Sequence, residues 1–266
     1  MAGELSAQDI WNDVKRIREV SPLVHNITNY VVMNTTANAL LAVGASPVMA
    51  HAQDEVADMV GIASALVINI GTLSPDWIVA MKKAMAVAAA KGTPIILDPV
   101  GAGATAFRTQ TCHDLLEQTQ PTVIRGNASE IMALIDSTIQ TKGVDSSIDI
   151  TPVKATQSLA SRHSCVVVVS GERDLIADER SCVYVDNGHP MMPKVTGLGC
   201  TASALMGAFA AVQPNPLLAS AHTMAVMGIC GEIAAERASG PGSLQMHFID
   251  SLYQLSEHQL KDRLKG

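Results

Sequence analysis

Residues 91–104 read KGTPIILDPVGAGA, and this stretch decides the fold class. Gly92 closes an Ala-rich helical pattern, Pro94 opens an apolar run, and Asp98-Pro99 ends that run. A short strand with no polar face is one covered on both sides, as in a parallel sheet held between two layers of helices. ALVINI at 65–70 and CVVVVS at 165–170 have the same character. Such runs alternating with helical patterns describe an α/β chain with a mostly parallel central sheet.

Working outward, the strand candidates are 23–27, 47–50, 66–70, 94–100, 122–125 and 165–170. Helical patterns fall at 31–43, ended by Gly44, at 54–63, at 76–90, ended by Gly92, and at 112–118. Ile10, Trp11, Val14, Ile17 and Val20 recur at helical spacing, so an amphipathic helix opens the chain. After Ser170, the segment GERDLIADERSCVYVDNGHP reads as a hairpin-like excursion with a turn signal at Asp186-Asn187-Gly188. Two long Ala-rich helical segments follow, 201–212 and 217–238, then a break at 239–243 and a last helix over 244–260. No repeat, low-complexity tract or linker interrupts the pattern, which points to a single domain over 1–266.

Composition narrows the function classes. Of 266 residues, 48% are hydrophobic and 16% charged, enough for a large core and too few charges for disorder. Aromatics make up only 3% while Met occurs 13 times, so the core is expected to be aliphatic with Met filling its gaps. A net charge of −7, with no basic run longer than Lys82-Lys83, argues against a nucleic-acid partner. The five cysteines are widely spaced with no CxxC, and the histidines lack zinc spacing. With a mixed, charged amino terminus and no convincing apolar span, the expected setting is the reducing cytoplasm, away from membranes.

In open parallel sheets, ligands bind beyond the carboxyl ends of the strands. Here those ends carry HNITN, Met49-Ala50-His51, NIGT, DPVGAG, RGNASE and SGE. Each alone reads as an ordinary turn. Together they describe a rim rich in hydrogen-bonding groups and poor in bulk. Asp98 reads as a Mg2+ ligand or a cap, and Glu130 fits a capping box with Asn127. Arg125 reads as a phosphate clamp or a rim charge, and Ser170-Gly171 as a nucleotide contact or a turn. Gly197-Leu198-Gly199-Cys200 is a nearly side-chain-free turn into a helix, where consecutive N–H groups favour an anion. A thiol there reads as a nucleophile, a base of lowered pKa, or a small hydrophobe.

The segments SPLVHNITNYVVMNTTANALLAVGASPVMA, LVINIGTL, ILDPVGAGAT, IRGNASEI, VVVVSGE and VTGLGCTASA occur here in an order that resembles the hydroxyethylthiazole kinase family. The resemblance runs from about Ser21 to the last helix. It implies a ribokinase-like three-layer α/β/α fold, transfer of phosphate from MgATP to the hydroxyl of 4-methyl-5-(2-hydroxyethyl)thiazole, and a homotrimer with active sites between subunits. By the same resemblance, Met49 and Gly197 contact the thiazole, with Asn26 near its hydroxyl. Arg125 and Ser170 fall on ATP-contacting positions, Asp98 and Glu130 on the acidic positions near Mg2+. Cys200 stands where most ribokinase-like enzymes carry an Asp base, and the thiazole kinases share the Cys. Three rivals stay open: a hydroxymethylpyrimidine- or pyridoxal-type kinase, an acyl-transfer enzyme using Cys200 with His222 or His247 as its base, and a non-catalytic thiazole binder.

Overall fold

A computed structural model describes residues 5–139 and 152–265. The first four residues, on which part of the targeting argument rested, lie outside the described residues. The strands are β1 (Leu23–Ile27), β2 (Ser46–Val48), β3 (Ala65–Asn69), β4 (Ile95–Asp98), β5 (Val123–Asn127), β6 (Val166–Ser170), β7 (Asp174–Ala177) and β8 (Cys182–Val185). They form one sheet in the order β2-β1-β3-β4-β5-β6-β7-β8. All neighbours through β6 pair in parallel, and β7 and β8 add an antiparallel edge.

The helices are α1 (Ala7–Val20), α2 (Met33–Val43), α3 (Val56–Ile62), α4 (Pro75–Lys91), α5 (Ala106–Gln118), α6 (Ala128–Ile139), α7 (Pro152–His163), α8 (Leu198–Ala210), α9 (Pro216–Arg237), α10 (Pro241–Gln254) and α11 (Glu257–Arg263). They divide between the two faces of the sheet. Val24, Val67, Ile96, Val123 and Val168 point into a core with α1, α2, α8, α9, α10 and α11. Ile27, Ile68, Leu97, Ile124 and Val167 point into a second core with α3 to α7. This is the three-layer α/β/α arrangement. It explains why β3, β4 and β6 are apolar at every position except their last.

Helix α8 lies closest to the sheet. A Cβ on Gly207 would come within 2.8 Å of Val67 and 3.0 Å of Val24, so only glycine allows this approach. That closeness brings the amino terminus of α8 over the carboxyl ends of the central strands.

Several boundaries differ from the sequence reading. The helix expected at 112–118 begins at Ala106, because Thr105 caps it by accepting from Arg108 N. Helix α8 starts at Leu198 rather than 201, so the glycine turn is its first turn. Helix α7 had no counterpart in the sequence reading. The segment expected as one helix over 244–260 is two, since Ser256 and Gln259 form a capping box that starts α11. The hairpin turns at Asp178, whose carboxylate accepts from Arg180 N and Ser181 N, and not at 186–188. Asn187 instead bonds Glu232 and the Arg263 carbonyl. Finally, α9 is long and apolar enough by length and composition to cross a membrane, contrary to expectation. Since 83% of that window is buried inside the fold, it reads as a core helix.

Candidate active site

Side chains alternate along a strand, so each strand continues its apolar face to its end. The parity of Val24, Val67, Ile96, Val123 and Val168 carries on to Asn26, Asn69, Asp98, Arg125 and Ser170. Five polar side chains thus line up across five strand ends, under the first turn of α8. Asn69 and Asp98 stand side by side in register.

Asp98 is buried, and its Oδ2 accepts from Asn69 Nδ2 at 2.9 Å and Ser203 Oγ at 2.7 Å. Its Oδ1 is buried with no partner. Burial pushes this carboxyl up to about 6, against the pull of the Arg125 cation. Glu130 accepts from Asn127 N at 2.8 Å and from Gly101 N at 2.9 Å, while Asn127 caps the Glu130 amide. The capping-box reading is therefore present, and the carboxylate also holds the glycine-rich loop. Glu130 is close enough to raise the pKa of Asp98.

Arg125 is only 9% exposed, donates to Ser170 Oγ at 2.8 Å, and leaves Nε buried and unpaired. It makes no ion pair among the described residues. Its Nη1 packs against Gly199, where a Cβ would come within 3.0 Å. Gly197 caps α8 with φ +84°, a left-handed conformation that favours glycine. No acceptor among the described residues takes the amides of Leu198, Gly199 and Cys200. A buried cation beside three free N–H groups is a costly arrangement unless an anion joins it.

The sequence reading left Cys200 open as a nucleophile, a base of pKa lowered by the helix amino terminus, or a small hydrophobe. Burial and the nearby Asp98 instead push the thiol up to about 11, outweighing hydrogen bonds from Asn69 and Asn29. Its Sγ lies 3.5 Å from Asn29 Nδ2. Neither suggested histidine serves it as a base. His222 Nδ1 bonds Asp13 at 2.6 Å and lines a cavity of about 280 Å³ between α1 and α9. His247 lies on α10 next to Asp250. The acyl-transfer arrangement is absent among the described residues.

Met49 follows β2 at the sheet edge, half-buried. Its loop is held by His25, whose Nε2 donates to the Ala50 carbonyl at 2.7 Å. Asn26 is buried, donates to the Val24 carbonyl and leaves Oδ1 unpaired.

A family model described as the hydroxyethylthiazole kinase family matches residues 14–258. A hydroxyethylthiazole kinase from Syntrophus aciditrophicus is 59% identical over 264 residues, covering 98% of each chain. The chain belongs to the hydroxyethylthiazole kinase family. The structure of such a kinase from Pyrococcus horikoshii OT3 is 44% identical, covers 97% of this chain and 98% of its own, and superposes with a TM-score of 0.90. A ribokinase-like protein from Enterococcus faecalis V583, 15% identical with a TM-score of 0.64 over 97% of this chain and 92% of its own, shares the fold. The fold of this kinase is therefore the ribokinase-like one.

Four residues of the kinase rim escaped the sequence reading. Asn29 and Asn69 lie in motifs noted as strand ends, HNITN and NIGT, yet nothing in the spacing joins them. Ser203 looked like one more small residue of an apolar helix. Arg108 donates to the carbonyls of Ile70, Gly71 and Val100, bracing the loops after β3 and β4. Carbonyl partners leave no trace in a sequence.

Proposed function

We propose that this chain, working as one domain, transfers the γ-phosphoryl group of ATP to the primary alcohol of 4-methyl-5-(2-hydroxyethyl)thiazole, salvaging the thiazole half of thiamine. One observation carries the assignment of the rim: Arg125, a buried cation with no acid partner among the described residues, faces the free amides of residues 198–200 beside Asp98. Phosphoryl transfer asks mostly for positioning and charge neutralisation, and this rim supplies both.

Arg125 and Ser170 hold the phosphates from the β5–β6 side, and the α8 amides receive the transferring group. Asp98 and Glu130 suit Mg2+. The ion prefers oxygen, keeps waters, and takes one or two carboxylates plus phosphates. The buried, unpaired Asp98 Oδ1 is the atom that a cation or its water would meet. No cluster of three or more His, Cys, Asp or Glu groups occurs among the described residues, so nucleotide and water complete the shell. When bound, Mg2+ offsets phosphate charge. Met49, Gly197 and Asn26 receive the thiazole, with the free Asn26 Oδ1 as acceptor for the alcohol. Cys200, a protonated thiol at rest, orients that alcohol more than it deprotonates it.

A homotrimer with shared sites is supported by Tyr30 and Val31, 65% and 66% exposed next to Asn29 on the rim. A cytoplasmic setting is supported by the cysteines, all free. Incubating the purified protein with MgATP and the thiazole, followed by mass spectrometry, tests the assignment. The thiazole monophosphate is expected, and its absence overturns the reading.

A further inference from the structure

We infer that Asn69 is a positioning residue for the phosphoryl transfer, setting Asp98 and Cys200 in place relative to each other. The inference rests on the kinase reading. Asn69 ends β3 with 1% exposure, and both ends of its carboxamide are engaged. Nδ2 donates to Asp98 Oδ2 at 2.9 Å. Oδ1 accepts from Gly71 N and from Asn29 Nδ2, each at 2.9 Å. Asn29 extends the same Nδ2 to Cys200 Sγ at 3.5 Å, and Asn69 itself stabilises the thiolate form of that sulfur. One buried amide therefore bonds Asp98 directly and reaches Cys200 through Asn29.

The consequence for Asp98 is directional. Its two donors, Asn69 on β3 and Ser203 on α8, converge on Oδ2 and leave Oδ1 free. A carboxylate tethered at one oxygen presents the other in a single orientation, which is what a phosphoryl-transfer site needs. The packing is specific to this chain of bonds. A Cβ on Gly71 would fall within 2.6 Å of Asn29 Nδ2, so the turn after Asn69 is bare where Asn29 must reach in. An amide alone provides a donor for Asp98 and an acceptor for Asn29 from one planar group. An aspartate at 69 would lack the donor, and an alanine would lack both.

Asn69→Asp keeps shape and the acceptor while turning an oxygen toward Asp98. Ser203→Ala removes the other donor from a different element. Wild type and both variants are compared in kcat, in KM for ATP and the thiazole, in ADP binding by calorimetry with and without Mg2+, and in melting temperature. Asn69→Asp is expected to lose about 100-fold in kcat with little change in thiazole KM, the cost of a misplaced group. Its ADP affinity should fall with Mg2+ present and hold without it. Ser203→Ala is expected to lose about tenfold in kcat, one hydrogen bond's worth. A folded Asn69→Asp with wild-type kcat overturns the inference, since a purely structural amide changes melting alone. Should Asn69→Asp not fold, an unchanged kcat in Ser203→Ala overturns it. A wild type inert toward the thiazole removes the kinase reading, and this inference with it.

Discussion

The guanidinium of Arg125 lies so close to the backbone of Gly199 that a Cβ on that glycine would come within 3.0 Å of Nη1. A strand-end cation and a helix amino terminus are thereby pressed into one anion-binding surface. Gly199→Ala separates the two effects of that contact. Alanine inside a helix favours folding by about 0.5–1 kcal/mol, a gain that displacing the buried Arg125 offsets, so melting should change little. The displaced guanidinium should raise KM for ATP about tenfold, a loss of roughly 1.4 kcal/mol. Steady-state kinetics and thermal melting check the two halves together. A lowered melting temperature with unchanged KM would show that Gly199 serves packing alone.

Arg125→Met removes a buried charge that has no acid partner among the described residues. Removing an unpaired buried charge relieves its desolvation cost. The unliganded variant should therefore melt at or above the wild-type temperature. Its affinity for ATP should drop by about 2–3 kcal/mol, the worth of charge-assisted hydrogen bonds. Calorimetric titration with a non-hydrolysable ATP analogue reads the loss.

Cys200, with its thiol pushed up to about 11, is no resting thiolate. Iodoacetamide at pH 7 should modify it slowly. Cys200→Ala should cost less than the roughly 100-fold or more that removal of a true general base costs. Cys200→Asp, which puts a carboxylate where the thiol sits, should keep or raise kcat. Total loss of activity in both variants would return Cys200 to the role of nucleophile or essential base.

Asp174 is buried, accepts from Gly171 N at 3.0 Å, and has its carboxyl raised by burial to about 6 from an ordinary 3.8. A carboxyl raised in the folded state binds its proton more tightly there than when unfolded. Stability from this group is therefore present at low pH and lost as pH rises from about 4 through 6. The loss amounts to at most about 3 kcal/mol. Asp174→Asn should raise the melting temperature above pH 6 and leave it nearly unchanged near pH 4. Equal shifts at both pH values would assign the effect to packing.

The α/β class, the parallel sheet and most strand positions were legible because a doubly covered strand must be apolar along its length, as residues 95–97 within KGTPIILDPVGAGA are. The rim was legible for the same reason: in such a strand, a polar residue at the end has to do something other than pack. Asp98, Arg125 and Ser170 were singled out this way, and in the structure Arg125 donates to Ser170 and lies near Asp98. For Cys200 the sequence left nucleophile, base and small hydrophobe open, since a helix dipole can be read from sequence and the burial that raises its pKa cannot. The joined helix over 244–260 failed at a capping serine, a local signal weaker than the apolar period around it.

What the sequence determined by itself was periodic and local: which runs are strands, which turns are bare, and the order of motifs that marks the kinase family. The tertiary structure alone decided which of those turns meet. Asn29, Asn69, Asp98 and Cys200 are spread over 172 positions, and Asn29 reaches Cys200 only because α8 packs on a strand through Gly207. Hydrogen bonds between distant side chains, and the burial that sets their charge, depend on distances in space that no linear spacing encodes.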